Sequence, residues 1–185
     1  MLITVRVREH VYNLRSKRCF RRIRTAFGAG CDRHGFRLTH YSVQANHMHL
    51  LAEARGKVSL ARGMPGLSIR IARSLNRLMA RKGCVFADRY HARILRSPRE
   101  VRHALGYVLC NARKHRVVDD RVRPDWVDPF STAPWFDGWK CRVWFDEAIA
   151  RVGFEDARVR APRTWLLRVG WRRGGPLDPR LTPRA

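Results

Sequence analysis

Carboxylates are scarce in the first two thirds of this chain. Between Met1 and Val117 there are five, Glu9, Asp32, Glu53, Asp88 and Glu100, against 26 Lys and Arg, a net charge of +21. That scarcity argues against a metal site built from three carboxylates. No glycine-rich P-loop is present either, so nothing suggests coupling to nucleotide hydrolysis. The five cysteines, Cys19, Cys31, Cys84, Cys110 and Cys141, contain no Cys-x-x-Cys pair, which leaves neither a disulfide framework nor a zinc knuckle. No apolar run approaches the roughly 20 residues that a bilayer requires, and the N-terminus lacks a signal h-region. The expectation from these absences is a soluble cytoplasmic protein with no membrane partner.

What the chain has in abundance is positive charge. Over 185 residues the formal net charge is +24 and the sequence pI about 11.6, a field whose usual partner is a polyanion, most often nucleic acid. It is uneven: from Val118 to Ala185, 13 basic residues face ten acids, a net of only +3. The polyanion-binding region is therefore expected in residues 1–117, with residues 118–185 as an extension.

Within that region lies Asn46-His47-Met48-His49-Leu50-Leu51. In a strand, residues two apart share a face, so His47 and His49 project together and Met48 and Leu50 project oppositely. Two imidazoles on one face hold half of a metal's coordination shell, and a third protein ligand must come from elsewhere. The plainer reading, two half-exposed histidines on an amphipathic strand, stays open at this point.

Periodicity supplies the frame. Residues 2–8 alternate as a half-buried strand that begins almost at the first residue, which leaves open a start further upstream. Residues 13–30 carry apolar positions at helical spacing, with Asn13 as the expected cap. Residues 36–43 and 47–54 read as two strands joined by a tight connection. Residues 59–82 read as a helix whose basic arc contains Arg70, Arg73, Arg77 and Arg81, with Pro65 expected to kink or break its first turns. Residues 86–95 read as a fourth strand containing Arg89 and Arg93. Ser97, Pro98 and Glu100 form a capping box that starts a third helix. This order predicts an α+β, ferredoxin-like antiparallel sheet with helices on one face.

On the third helix, Tyr107 lies roughly 120° from the centre of the apolar stripe at about 100° per residue. Asn111 follows one turn on, with His103 one turn before Tyr107 and Lys114 beyond. Tyr107 and Asn111 are thus candidates to complete the histidine site, as nucleophile and third ligand; on spacing alone a surface tyrosine near a helix end is the plainer reading and stays open. Tyr90, in a polar strand segment, is the rival nucleophile, but it lacks an amide at i+4. The arginines of the second helix, with Arg89, Arg93 and Lys114, are candidate phosphate contacts; a solvated face is the other reading for the helix arginines, and a salt bridge to Asp88 for Arg89 and Arg93.

Three separated segments, Asn46–Leu51, Phe86-Ala87-Asp88-Arg89-Tyr90-His91 and Tyr107-Val108-Leu109-Cys110-Asn111-Ala112, together resemble the single-tyrosine HUH transposases of the insertion-sequence 200 type, and more closely the REP-associated tyrosine transposases. The resemblance covers residues 1–115. It implies a transposase that cleaves and rejoins single-stranded, hairpin-flanked DNA through a 5′-phosphotyrosine, with His47, His49 and Asn111 holding Mg²⁺ or Mn²⁺ and Tyr107 as nucleophile. Members act as monomers or homodimers. Two positions depart from the family: Ala45 stands where Pro is common, and Asn111-Ala112 replaces Asn-Pro. The second removes a helix breaker, so the third helix is expected to run to about His115. A noncatalytic hairpin-binding regulator on the same fold, and a related replication nickase, are the competing readings.

All six tryptophans lie beyond His115. Residues 128–139 are rich in turn formers and aromatics and are expected to dock on the catalytic region. Residues 144–153 and 161–170 read as short helices, and residues 172–185 as a flexible basic tail.

Overall fold

A computed structural model describes residues 1–114, 123–146 and 156–183. The expected boundary at 117/118 and the greater part of the helix expected over 144–153 fall outside those residues. Among the described residues, no helix is long and apolar enough to cross a membrane.

The elements follow the expected order: β1 (Leu2–Arg6), α1 (Lys17–Gly30), β3 (Phe36–Val43), β4 (His47–Ala54), α2 (Lys57–Leu78), β5 (His91–Arg93) and α3 (Pro98–Leu109), with a two-residue strand β2 (Asp32–Arg33) added before β3. They build a five-stranded sheet in the order β2-β3-β4-β1-β5 with antiparallel pairing throughout. Without β2 this is the ferredoxin-like arrangement.

The alternation in each strand decides which layer covers which face. Ile3, Val5, Met48, Leu50, Leu38 and Tyr41 point to one face and form a core with α1 and α2. α2 approaches β3 so closely that a Cβ on Gly63 would lie 2.1 Å from Phe36 Cβ. The other face carries Leu2 and Leu51 and is covered by α3 and the chain beyond residue 123, through Val101, Leu105, Val108, Val127, Trp171 and Leu177. Helices therefore occupy both faces rather than one, because α3 brings a second apolar stripe that only the opposite face can bury.

Several local expectations are corrected. Ser16, not Asn13, caps α1, accepting from Cys19 N, while Asn13 accepts from Arg15 N to turn the chain into it. α2 continues unbroken through Pro65. The fourth strand is reduced to His91–Arg93: Val7 bridges Phe86 and Ala87 N donates to Arg6 O, but Asp88, Arg89 and Tyr90 leave the ladder between the two contacts. α3 stops at Leu109, with Cys110 at φ −105°, ψ 13°, and a separate turn α4 (Asn111–Lys114) follows. In that turn Arg113 donates to the carbonyls of Arg123, Pro124, Trp126 and Pro179, tying it to the extension.

The tail expected to be flexible is docked as far as Leu181. Leu177 is buried and exchanges backbone hydrogen bonds with Gly138 and Lys140, Arg102 donates to the carbonyls of Gly175 and Pro176, and Leu181 lies over Gly106 of α3. The helix expected over 161–170 is confined to Trp165–Arg168, followed by a 3₁₀ segment, Gly170–Gly174. Asp128 anchors the extension through a bidentate pair with Arg15, at 2.7 and 2.9 Å.

Candidate active site

Because Met48 and Leu50 are claimed by the α1/α2 core, His47 and His49 must face α3. Their Nε2 atoms stand 3.1 Å apart. Each ring is held from behind: His47 Nδ1 is 2.9 Å from Asn46 Oδ1, and His49 Nδ1 is 3.0 Å from Thr4 Oγ1. Thr4 reaches it because the β1–β4 register sets Thr4 directly opposite His49. Asn46 Oδ1 can only accept, which favours the proton on His47 Nδ1; Thr4 Oγ1 can accept from His49 Nδ1 in the same way, and that tautomer turns both Nε2 lone pairs forward, as a metal ligand requires.

Tyr107 comes down onto this pair from α3. Its hydroxyl lies 3.4 Å from His49 Nε2, and the two rings meet edge to face with centroids 4.8 Å apart. The Lys114 ammonium stands 5.0 Å from the centre of the tyrosine ring, adding positive charge where a phosphate would approach. Beside Tyr107 opens a cleft of about 570 Å³, walled by Leu2, Leu95, Ala104 and Leu181 and edged by Arg93 and His103.

The donor set fits a divalent cation. Two nitrogens bound at about 2.1 Å and at right angles are about 3.0 Å apart, so the observed separation is that of neighbouring ligands on a six-coordinate ion. Among the described residues there is no group of three His, Cys, Asp or Glu, so a third protein ligand from them must be an amide or a hydroxyl. Asn111 is fully buried, and neither amide atom has a hydrogen-bond partner among the described residues. An amide left so is costly, and a cation or a water would satisfy it.

The other tyrosines stand apart. Tyr90 packs against the α1/α2 core on the opposite face. Tyr41 is fully buried and burial drives its phenol well above the usual value, while Tyr12 is exposed. The basic residues divide as well. α2, which carries Arg70, Arg73 and Arg77, belongs to the layer away from the histidines, and because the helix ends at Leu78, short of the expected residue 82, Arg81 lies beyond it; none of the four is part of this cluster. Arg70 donates to Gly66 O at 2.8 Å, whereas Arg73 and Arg77 are exposed. Arg89 is exposed before β5, and Arg93 pairs with Glu100 at 3.4 Å rather than with Asp88.

Sequence reasoning missed Thr4 and gave Asn46 no role. Thr4 leaves no local signal, since only strand register brings it to His49. Asn46 adjoins the histidine pair, and its short polar side chain was the available clue.

A solved structure, described as a REP-associated tyrosine transposase bound to a REP hairpin, aligns with a TM-score of 0.55 over 71% of this chain and 74% of that one. At 21% identity the likeness establishes the fold. No curated protein matches the chain. The family model described as transposase IS200 like matches residues 2–125, a span that includes both histidines, Tyr107 and Asn111. The chain belongs to the IS200-like transposase family.

Proposed function

We propose that this protein is a metal-dependent transposase that cuts and rejoins single-stranded, hairpin-flanked DNA through Tyr107. The observation that carries the reading is the convergence of Tyr107 Oη, His49 Nε2 and His47 Nε2 within 3.4 Å steps on one sheet face. The hairpin bound by the structural relative, and the charge of +21 over residues 1–117, favour such DNA as the substrate.

His47, His49 and Asn111 would hold Mg²⁺ or Mn²⁺. When bound, such an ion withdraws charge from the scissile phosphate and helps orient it. Tyr107 Oη attacks phosphorus, the P–O3′ bond breaks, and the departing 3′ oxygen takes up a proton as the phenol loses one. The products are a 5′-phosphotyrosine and a free 3′-hydroxyl. The ester bond energy stays in the enzyme, so a second 3′-hydroxyl attacking the phosphotyrosine rejoins a strand without ATP. Lys114 and Arg93 would draw the phosphate toward the tyrosine. Arg73 and Arg77, on the far layer, with Arg70, Arg81 and Arg89, would contact backbone outside the reacting centre.

The test is incubation of the full chain with end-labelled hairpin-flanked single-stranded DNA, with and without Mn²⁺, scored for a denaturation-resistant adduct. The expected adduct needs metal, persists in Tyr90→Phe and vanishes in Tyr107→Phe. Tight hairpin binding without an adduct under either metal would make the protein a noncatalytic regulator instead.

A further inference from the structure

A cleft lined largely by the extension stands apart from the reacting residues. It has a volume of about 340 Å³ and lies where β3 meets the extension. Its floor is His40, on the same sheet face as the reacting histidines: Ser42, two residues along β3, pairs with His49 in the neighbouring strand. His40 Nδ1 is 3.2 Å from Thr132 Oγ1, and its ring packs edge-on against Phe136. Burial depresses its pKa to about 4, so the ring is neutral near pH 7, and its other nitrogen has no partner among the described residues. Half-exposed Trp135 supplies an aromatic wall beside the buried rings of Phe136 and Trp171, and Arg160, Arg168 and Arg172 stand at the rim. The lining acid, Asp137, is paired with Arg172 at 2.8 Å. Arg160 and Arg168 are exposed and form no ion pair among the described residues.

We propose that this cleft binds one unpaired nucleobase of the single-stranded DNA, stacked on Trp135, with its edge on His40 and its flanking phosphates on Arg160 and Arg168. Aromatic faces beside unpaired guanidinium groups are the combination that holds single strands, because every base has a face to stack and a phosphate beside it. The neutral imidazole adds what a charged group would not: a directional donor or acceptor that discriminates between base edges. The volume is at the lower end of that of small-molecule sites, enough for one base and not for a duplex. Family membership does not imply the cleft, since apart from Thr39 and His40 its lining lies beyond residue 125. The inference rests on the reading of the protein as one that acts on single-stranded DNA.

The test compares binding of the full chain to a hairpin carrying a ten-nucleotide single-stranded flank and to the same hairpin with a blunt end. 2-Aminopurine is placed at each flank position in turn. In the Arg160→Ala/Arg168→Ala double variant, affinity for the flanked hairpin should fall roughly tenfold. Its log–log salt slope should become shallower by about 1.4, as expected for two lost single-strand phosphate contacts. Blunt-hairpin affinity and thermal midpoint should not change. The wild type should quench 2-aminopurine at one flank position, and His40→Phe should abolish base preference at that position while keeping the quench. A double variant that binds both probes like the wild type, or loses both equally, overturns the inference. If the wild type also forms the Tyr107 adduct in that case, the cleft alone is refuted; a wild type that binds neither probe and forms no adduct refutes the transposase reading and the cleft with it.

Discussion

Replacing Thr4 by valine removes one oxygen from behind His49 and preserves the shape of the side chain. The hydroxyl lies 3.0 Å from His49 Nδ1 and, through the strand register, is the group that faces that nitrogen. A single neutral hydrogen bond contributes about 1 kcal/mol to stability, and valine leaves no cavity, so the thermal midpoint should move by only a few degrees. The effect on metal should be larger. Without an acceptor at Nδ1 the imidazole rotates and samples the tautomer whose Nε2 carries a proton, and loss of such an outer partner typically weakens metal binding about 10–100-fold. That corresponds to about 1.4–2.7 kcal/mol. The assay is adduct yield against Mn²⁺ concentration. The midpoint should rise by one to two decades, saturating metal should restore most of the yield, and Thr4→Ser should behave like the wild type. An unchanged midpoint in Thr4→Val would refute the claim that Thr4 sets the ligand's tautomer.

Asn111→Leu removes a buried amide with no protein partner, so the metal-free protein should gain about 1–3 kcal/mol in urea unfolding while Mn²⁺ no longer raises the thermal midpoint; continued stabilisation by Mn²⁺ would remove Asn111 from the ligand set. Arg15→Ala strands Asp128, whose side chain is 1% exposed, and should cost about 3–5 kcal/mol by urea titration. Gly63→Ala drives a methyl group into Phe36 and should cost about 1–3 kcal/mol or more, with the midpoint of unfolding as the readout. His40 has a folded pKa of about 4, below the ordinary 6.5, so the unfolded chain binds its proton first. Stability should be flat above about pH 6.5, fall by at most about 3 kcal/mol down to pH 4, and level off below. Opening of the ring to the cleft reduces that figure, and His40→Gln should remove the slope contributed by this group.

The central strands were legible because their alternation is local. Residues 36–43 and 47–54 coincide with β3 and β4, and the face shared by His47 and His49 follows from the same period of two. The capping box at Ser97 was equally direct, since both of its bonds are made within four residues. Other features depend on separation in sequence. Thr4 meets His49 across 45 residues, and Arg15 meets Asp128 across 113. The tyrosine's offset from the apolar stripe was visible, but not the interruption at Cys110, since the anchor of that turn, Arg113, bonds to carbonyls contributed by the extension. The α2 arginines were correctly read as a basic arc, yet their layer could not be assigned before it was known that α3 takes the opposite face of the sheet.

The burial of α3 on two sides bears on how the chain can be shortened. Its inner side rests on Leu51, while Phe136, Leu167, Trp171 and Leu177 belong to the same core, and Leu181 closes over Gly106. Cutting the polypeptide where the family match ends, at residue 125, would strip that outer packing from the helix that carries Tyr107. The extension is thus not a detachable module that could be grafted onto, or trimmed from, a minimal transposase. A chimera that exchanged it for another sequence would have to rebuild the outer half of this core before its tyrosine could stand beside the histidines.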